Sequence, residues 1–210
     1  MNNNKKIIID TANFYNTKLK RFGNNFKGMN WPSQKNQYLR FEQLIKIDNL
    51  RNKTIHDLGC GNGELLKFLK EKKIIFSKYF GSDISDFMVD APKNNFYSSS
   101  KICFEKINIL ETKKKIMHDY VITSGIFNVK NQFSYKDWVN YVFQIIIKMY
   151  SFSRLGIGFN LLTFVVDYKN KDLFYMSVDR LISFLRTKVS KKIIVNHSYP
   201  LWEYTIFVYK

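Results

Sequence analysis

The sequence predicts an α/β protein built on a mostly parallel, seven-stranded sheet that ends in an antiparallel hairpin and is preceded by a helical segment. Three observations predict it. Between residues 54 and 187, apolar strand-like runs alternate with amphipathic helix-like runs, the pattern of a parallel sheet covered on both faces. The first of those strands runs into a turn holding Gly59, Gly61 and Gly63 and then into a helix. The last two strand-like runs, 192–197 and 204–209, are separated only by residues 198–203, with Pro200 inside. So short a link cannot hold a crossover helix, so those two strands must run antiparallel. A chain of 210 residues fits one domain and is long enough to bury a full core.

The elements follow in order. Residues 1–6 are the one candidate for a disordered tail. Residues 7–50 read as helical in pieces: a stretch holding Phe14, Tyr15 and 19–22, a loop over 23–33 with Trp31 and Pro32, and an amphipathic helix over 37–50 whose Leu39, Phe41, Leu44 and Ile45 share a broad face. Strands are expected at 54–58, 79–83, 102–108, 119–124 and 155–162. Helices are expected at about 64–72, from 86 until Pro92 interrupts, at 135–151 and at 173–187. There is no internal repeat, so residues 1–53 form a cap segment and 54–210 the core.

Composition narrows the partners. The apolar run at 141–147 is far too short for a bilayer and is broken by Gln144. The N-terminal residues lack the apolar core of a signal peptide. No membrane insertion and a cytoplasmic location are therefore expected. Cys60 and Cys103 are the two cysteines and have no CxxC spacing, so free thiols are expected rather than a disulfide or zinc site. The net charge of +17 has two readings: a basic patch for an anionic partner, or lysines spread over solvated faces in a Lys-, Asn- and Ile-rich chain.

Chemistry concentrates at the carboxyl ends of the strands, where ligands of open α/β sheets bind. Asp57-Leu58-Gly59-Cys60-Gly61-Asn62-Gly63-Glu64 places an acid before a turn whose glycines lack the Cβ that would hold a ligand off the backbone. This suits a nucleoside-bearing cofactor, although such a turn can also merely pack helix on strand. Asp83 ends the second strand. Its two carboxylate oxygens can accept both hydroxyls of a ribose, with Ile84 covering the base. It could instead cap the next helix, but Ser85 and Asp86 are better placed for that.

Asp57-x-Gly59-x-Gly61-x-Gly63 resembles the first motif of the class I S-adenosylmethionine (SAM) methyltransferases, and the terminal hairpin resembles that family's sheet. The resemblance implies a SAM-dependent enzyme that releases S-adenosylhomocysteine. It implies that Asp57 and the carbonyls of Gly59, Cys60 and Gly61 meet the methionine amino group. Asn108, beside Ile109, stands where the family often has an Asp for the adenine amino group. Ser124-Gly125-Ile126-Phe127-Asn128 resembles the fourth motif, with Ser124 and Gly125 closing over the cofactor. Neither the Asn/Asp-Pro-Pro-Tyr/Phe signature of the base- and glutamine-directed enzymes nor the Pro-Cys of cytosine-C5 enzymes is present, which argues against DNA. By the same resemblance the N-terminal segment is a lid, with Tyr15, Trp31, Gln37 and Phe41 facing the site and Arg40 placed for SAM's carboxylate, if it is not simply in solvent.

An oxygen acceptor usually needs a base. His56 lies inside the first strand and His118 at the far end of the fourth, so His197, at the carboxyl end of the sixth, is the candidate base. Tyr199 is a second, and Asn160, within Gly158-Phe159-Asn160-Leu161-Leu162, is expected to face the acceptor. No Asp/Asn cluster follows the fourth strand, and no metal is expected. The Trp-bearing lid, the Ser-Gly-Ile-Phe-Asn motif and the Tyr-Pro-Leu-x-Glu-Tyr-Thr ending together resemble a small-molecule branch often found in bacterial surface-polysaccharide (capsule) pathways. That implies O-methylation of a small anionic acceptor: a sugar, a phosphorylated precursor or a phosphoramidate-type capsule modification. An RNA or protein methyltransferase, or a non-catalytic SAM-binding protein, are the alternatives.

Overall fold

The computed structural model describes residues 3–96, 100–115 and 117–210. Its sheet has seven strands: β1 (Thr54–Leu58), β2 (Lys78–Asp83), β3 (Ile102–Lys106), β4 (His118–Thr123), β5 (Ser153–Leu162), β6 (Ile193–Asn196) and β7 (Glu203–Tyr209). They lie in the order β3-β2-β1-β4-β5-β7-β6. β1 to β5 pair in parallel, while β7 is antiparallel to both β5 and β6. The expected α/β architecture with its antiparallel C-terminal hairpin is the one found. The chain leaves β1 in one direction toward β2 and, from β4, in the other toward β5. The order therefore reverses between β1 and β4, and the crevice at the carboxyl ends of those two strands is where a ligand of such a sheet binds.

Helices cover both faces. α3 (Glu64–Glu71) and α2 (Gln34–Leu44) pack on one, with Leu65, Leu66, Phe68 and Leu69 meeting Phe41, Ile55 and Ile122. α5 (Tyr135–Ser151) and α6 (Val178–Lys188) cover the other. In α5 the buried side chains Trp138, Val139, Val142, Ile145, Ile146 and Met149 recur with the helical period. Its start is set by Ser134, whose hydroxyl accepts from the Asp137 N–H, with that acid in the first turn. α4 (Asp86–Phe96) follows β2. Among the described residues no helix is long and apolar enough to cross a membrane.

Two local expectations change. The N-terminus is one helix, α1 (Asn3–Phe22), rather than a tail followed by pieces. Ile7 is buried in the α5 face of the core, and Asn3 and Asn4 donate to Asp137 and Gln144 of α5. The helix expected from residue 173 starts only at Val178. Leu173 and Tyr175 are drawn into bridges with Val129 and Leu162, and Met176 N–H bonds the Leu162 carbonyl.

Candidate active site

The β1 turn is tied to the end of β2 by its backbone. The N–H groups of Gly59 and Cys60 both donate to the Ser82 carbonyl, and Gly61 N–H donates to Asp83 Oδ2 at 3.1 Å. Asp83 Oδ1 accepts from Ser85 N–H, also at 3.1 Å. Gly59 has φ 73°, and a Cβ there would lie 2.2 Å from Ile126 Cγ2, so no side chain fits. Gly63, also left-handed, opens α3. The glycine spacing thus folds one backbone loop against one carboxylate.

That carboxylate and Asp57 face a cavity of about 530 Å³ at the switch point, a size that suits a small ligand. Burial pushes the Asp57 carboxyl up to about 7; the Tyr79 hydroxyl donated to it works the other way, and nearby Asp83 adds to the rise. Burial likewise pushes Asp83 up to about 6 against its backbone donors. Two such acids in one cavity favour a ligand that brings positive charge or hydroxyl donors. A smaller pocket shares Tyr15, Gly59, Asp83, Ile84 and Ile126 with this cavity and adds Asn108, Ile109 and Tyr141. Asn108 Oδ1 accepts from Leu110 N–H, which uses one of its lone pairs locally.

The β4 end supplies Ser124, Gly125 and Asn128. Trp138, wholly buried in α5, donates its indole N–H to the Phe127 carbonyl at 2.8 Å and so pins this turn. Gly125 has φ 80°, and a Cβ there would sit 2.5 Å from the Trp31 ring; only glycine lets the indole lie on the backbone. Among the described residues Ser124 Oγ and Asn128 Oδ1 are buried and without a hydrogen-bond partner, and both residues line the cavity. Asn128 is only 7% exposed.

The N-terminal segment covers the site from above. Tyr15, Trp31, Gln37, Arg40 and Phe41 all line the cavity. The Arg40 guanidinium is buried: its Nε donates to Glu203 Oε2 at 2.8 Å, its Nη1 to the Asn36 carbonyl, and it lies 4.5 Å from the Trp31 ring. Arg40 is therefore ion-paired to β7 rather than solvated. Burial still raises the Glu203 carboxyl, with Arg40 opposing it.

The three expected catalytic groups are not brought to the cavity. His197 is exposed and does not line it. β6 does end on the cofactor edge, but β7 lies between it and β5, so its end is peripheral. Tyr199 is buried and shares a 2.8 Å hydrogen bond with the Thr205 hydroxyl. Asn160 is buried in β5, where its Oδ1 accepts from Gly125 N–H at 3.2 Å; it supports the β4 turn from below. In their place the structure brings Pro200, Leu201 and Trp202 of the hairpin and Tyr168 and Tyr175 of the segment after β5 to the cavity. Tyr168 and Trp202 meet edge to face at 5.2 Å while remaining 68% and 44% exposed. Trp202 is the unassigned position in the Tyr-Pro-Leu-x-Glu-Tyr-Thr ending, and its place beside Pro200 at a hairpin tip was the available signal. Among the described residues no cluster of three His, Cys, Asp or Glu could hold a metal ion.

No protein-family model matches the chain. It is 32% identical over 159 residues to "Putative methyltransferase Rv1506c" of Mycobacterium tuberculosis, an alignment covering 75% of this chain and 93% of that protein. Among solved structures, the DhpI complex with S-adenosylhomocysteine superposes with a TM-score of 0.67, 13% identity and 97% coverage of both chains. Magnesium protoporphyrin IX methyltransferase (ChlM) from Synechocystis PCC 6803 with the same bound product gives 0.61 and 13%, covering 84% of this chain and 83% of its own. The sequence match carries the family and the superpositions carry the fold: this chain belongs to the class I SAM-dependent methyltransferases.

Proposed function

We propose that the chain transfers a methyl group from SAM to a hydroxyl oxygen of a small acceptor, with residues 1–53 acting as a lid on a core of residues 54–210. One observation carries the proposal. A single cavity holds two strand-end carboxylates on one side, Asp57 buried and Asp83 half-buried, and on the other Ser124 Oγ and Asn128 Oδ1, unmatched among the described residues, on the turn whose Gly125 carries the Trp31 ring.

The residues present fit the cofactor. Each Asp83 oxygen accepts one backbone N–H, which leaves lone pairs for two ribose hydroxyls. Asp57 balances the methionine ammonium, and the bare backbone of Gly59, Cys60 and Gly61 lets that end approach. Ile84, Ile109 and Asn108 receive the adenine, and the Arg40 guanidinium still has N–H donors to offer the methionine carboxylate. When bound, SAM supplies an electrophilic methyl on its sulfonium. The chain's own task is to align an acceptor and exclude water. Trp31 closes the site over Gly125, and Asn128 Oδ1 holds the acceptor's hydroxyl proton. As the oxygen–methyl bond forms and the methyl–sulfur bond breaks, that proton would pass to bulk water at the mouth beside Tyr168 and Trp202. His197 is too peripheral to serve as the base.

The acceptor side favours a hydroxylated ring such as a sugar. Tyr168 and Trp202 offer flat apolar faces at the mouth, and Gln37 and Asn128 offer amides to hydroxyls. This is compatible with a surface-polysaccharide role in the cytoplasm, where SAM is made. The test uses isotope-labelled SAM with a panel of sugars, sugar phosphates and a bacterial metabolite extract. Transfer of label to a small hydroxylated metabolite is expected. Label confined to protein or RNA, or SAM bound without any transfer, would remove the reading.

A further inference from the structure

A second, open concavity of about 830 Å³ lies between α1 and the segments at residues 130–132 and 171–172. Lys18, Arg21, Lys130 and Lys171 line it, against Asp10 and Asp172. Asp10 already accepts from the Gln132 amide. The α1 cations are held by rings rather than by acids. Lys18 Nζ lies 5.5 and 5.4 Å from the Phe14 and Phe22 centroids, and Arg21 Cζ lies 5.1 Å from Phe22. A ring holds a cation in place without spending its N–H donors. None of the four has a carboxylate within ion-pair distance among the described residues.

This groove adjoins the active-site cavity. Asn13 and Phe14 line the groove, and their neighbours Ala12 and Tyr15 line the cavity. Lys130 follows Val129 and Asp172 precedes Leu173, the bridged pair in the cavity wall. The Lys130 and Asn131 N–H groups both bond the Asp172 carbonyl, so the shared wall is tied together. The two concavities differ in charge. Among the described residues the cavity has one cation in its lining, Arg40, already paired with Glu203, beside three acids, Asp57, Glu64 and Asp83. An anionic group on the acceptor is poorly served inside the cavity and well served next to it.

We propose that the groove binds the phosphate-bearing end of the acceptor, a mono- or diphosphate ester whose hydroxylated ring is methylated in the cavity. This rests on the small-acceptor reading above. Lys130 Nζ already donates to the Asn131 and Phe133 carbonyls, so Lys18, Arg21 and Lys171, set against two acids, suit one or two phosphates; a continuing nucleic-acid backbone would meet both acids. Phosphate oxygens would take charge-assisted hydrogen bonds from Lys18, Arg21 and Lys171.

The test is calorimetry of inorganic pyrophosphate, and separately of SAM, on the full chain. The wild type is compared with the double variant Lys18→Gln/Arg21→Gln, with Lys171→Gln, and with Lys191→Gln/Lys192→Gln on the distant β6 edge as a control. Pyrophosphate affinity should fall about tenfold or more in the double variant and several-fold in Lys171→Gln, with the control and all SAM affinities unchanged. Absence of pyrophosphate binding, or equal losses in the control pair, would overturn the groove. So would an RNA oligonucleotide that displaces pyrophosphate with a steep salt dependence. Failure of SAM to bind the wild type would strike the cofactor reading instead and leave the pyrophosphate result to stand by itself.

Discussion

The two sides of the cavity are made differently. On the proposed donor side, the N–H groups of Gly59 and Cys60 bond the Ser82 carbonyl and that of Gly61 bonds the Asp83 carboxylate, all at adjoining strand ends. On the acceptor side, Trp31, Gln37, Asn128, Tyr168 and Trp202 come from four separate stretches of chain, with polar atoms left unmatched and aromatic faces left in solvent. A site for a cofactor common to a whole family can be hard-wired into neighbouring strands. A site for a particular acceptor is assembled from loops, which vary without disturbing the sheet.

That contrast can be broken or sharpened by substitution. The largest effect is expected on the donor side. Asp83→Ala removes a half-buried carboxylate that holds Gly61 and, on our reading, the ribose. It should weaken SAM by on the order of 2–3 kcal/mol in calorimetry, and unchanged affinity would detach Asp83 from the cofactor. On the acceptor side, Asn128→Leu should lower kcat/KM by about 1–2 kcal/mol while SAM affinity stays put. A loss of SAM binding instead would move Asn128 to the donor half.

A pH titration separates the halves again. Burial pushes the Asp57 carboxyl up to about 7 and the Asp83 carboxyl up to about 6, and on our reading each meets its part of SAM, ammonium or ribose, in the ionised form. SAM affinity should therefore be level above pH 7, fall by up to about tenfold per unit below it, and fall more steeply below 6. Asp57→Asn should weaken SAM and remove the upper part of that slope. The same shift has a stability consequence of opposite sense. A carboxyl raised in the folded state favours folding at low pH, and this contribution is lost as pH rises through the folded value. Asp57→Asn should thus make the unliganded protein less sensitive to pH in thermal melts between about 4 and 7. The smallest effect is expected at the periphery: His197→Ala should change kcat less than about twofold, and a large loss with intact folding would return His197 to the site.

The sequence made the donor half legible because its signal is local. Asp57, the three glycines and Asp83 are spaced by one strand–helix–strand unit, and that spacing survives into three dimensions. His197 misled because its position depends on strand order: a strand ending on the right edge is still remote when β7 is inserted beside β5. Asn160 misled because its partner, the Gly125 N–H, belongs to another strand's turn. The start of α6 shifted because residues 173–176 satisfy their backbone with Val129 and Leu162 before a helix can begin. The alternation of strands and helices and the antiparallel hairpin, each carried by contiguous residues, matched the structure.

The chain has three tryptophans, and each belongs to the site or to its support. Trp138 is sealed beneath the β4 turn, Trp31 lies on Gly125, and Trp202 stands half in water at the mouth. On the reading of residues 1–53 as a lid, intrinsic emission from this protein is a built-in optical record of the cavity, with one constant fluorophore and two placed to respond when the lid lifts or the mouth fills. Trp31→Phe and Trp202→Phe, taken singly, would assign each half of that signal to its own event, without any external label.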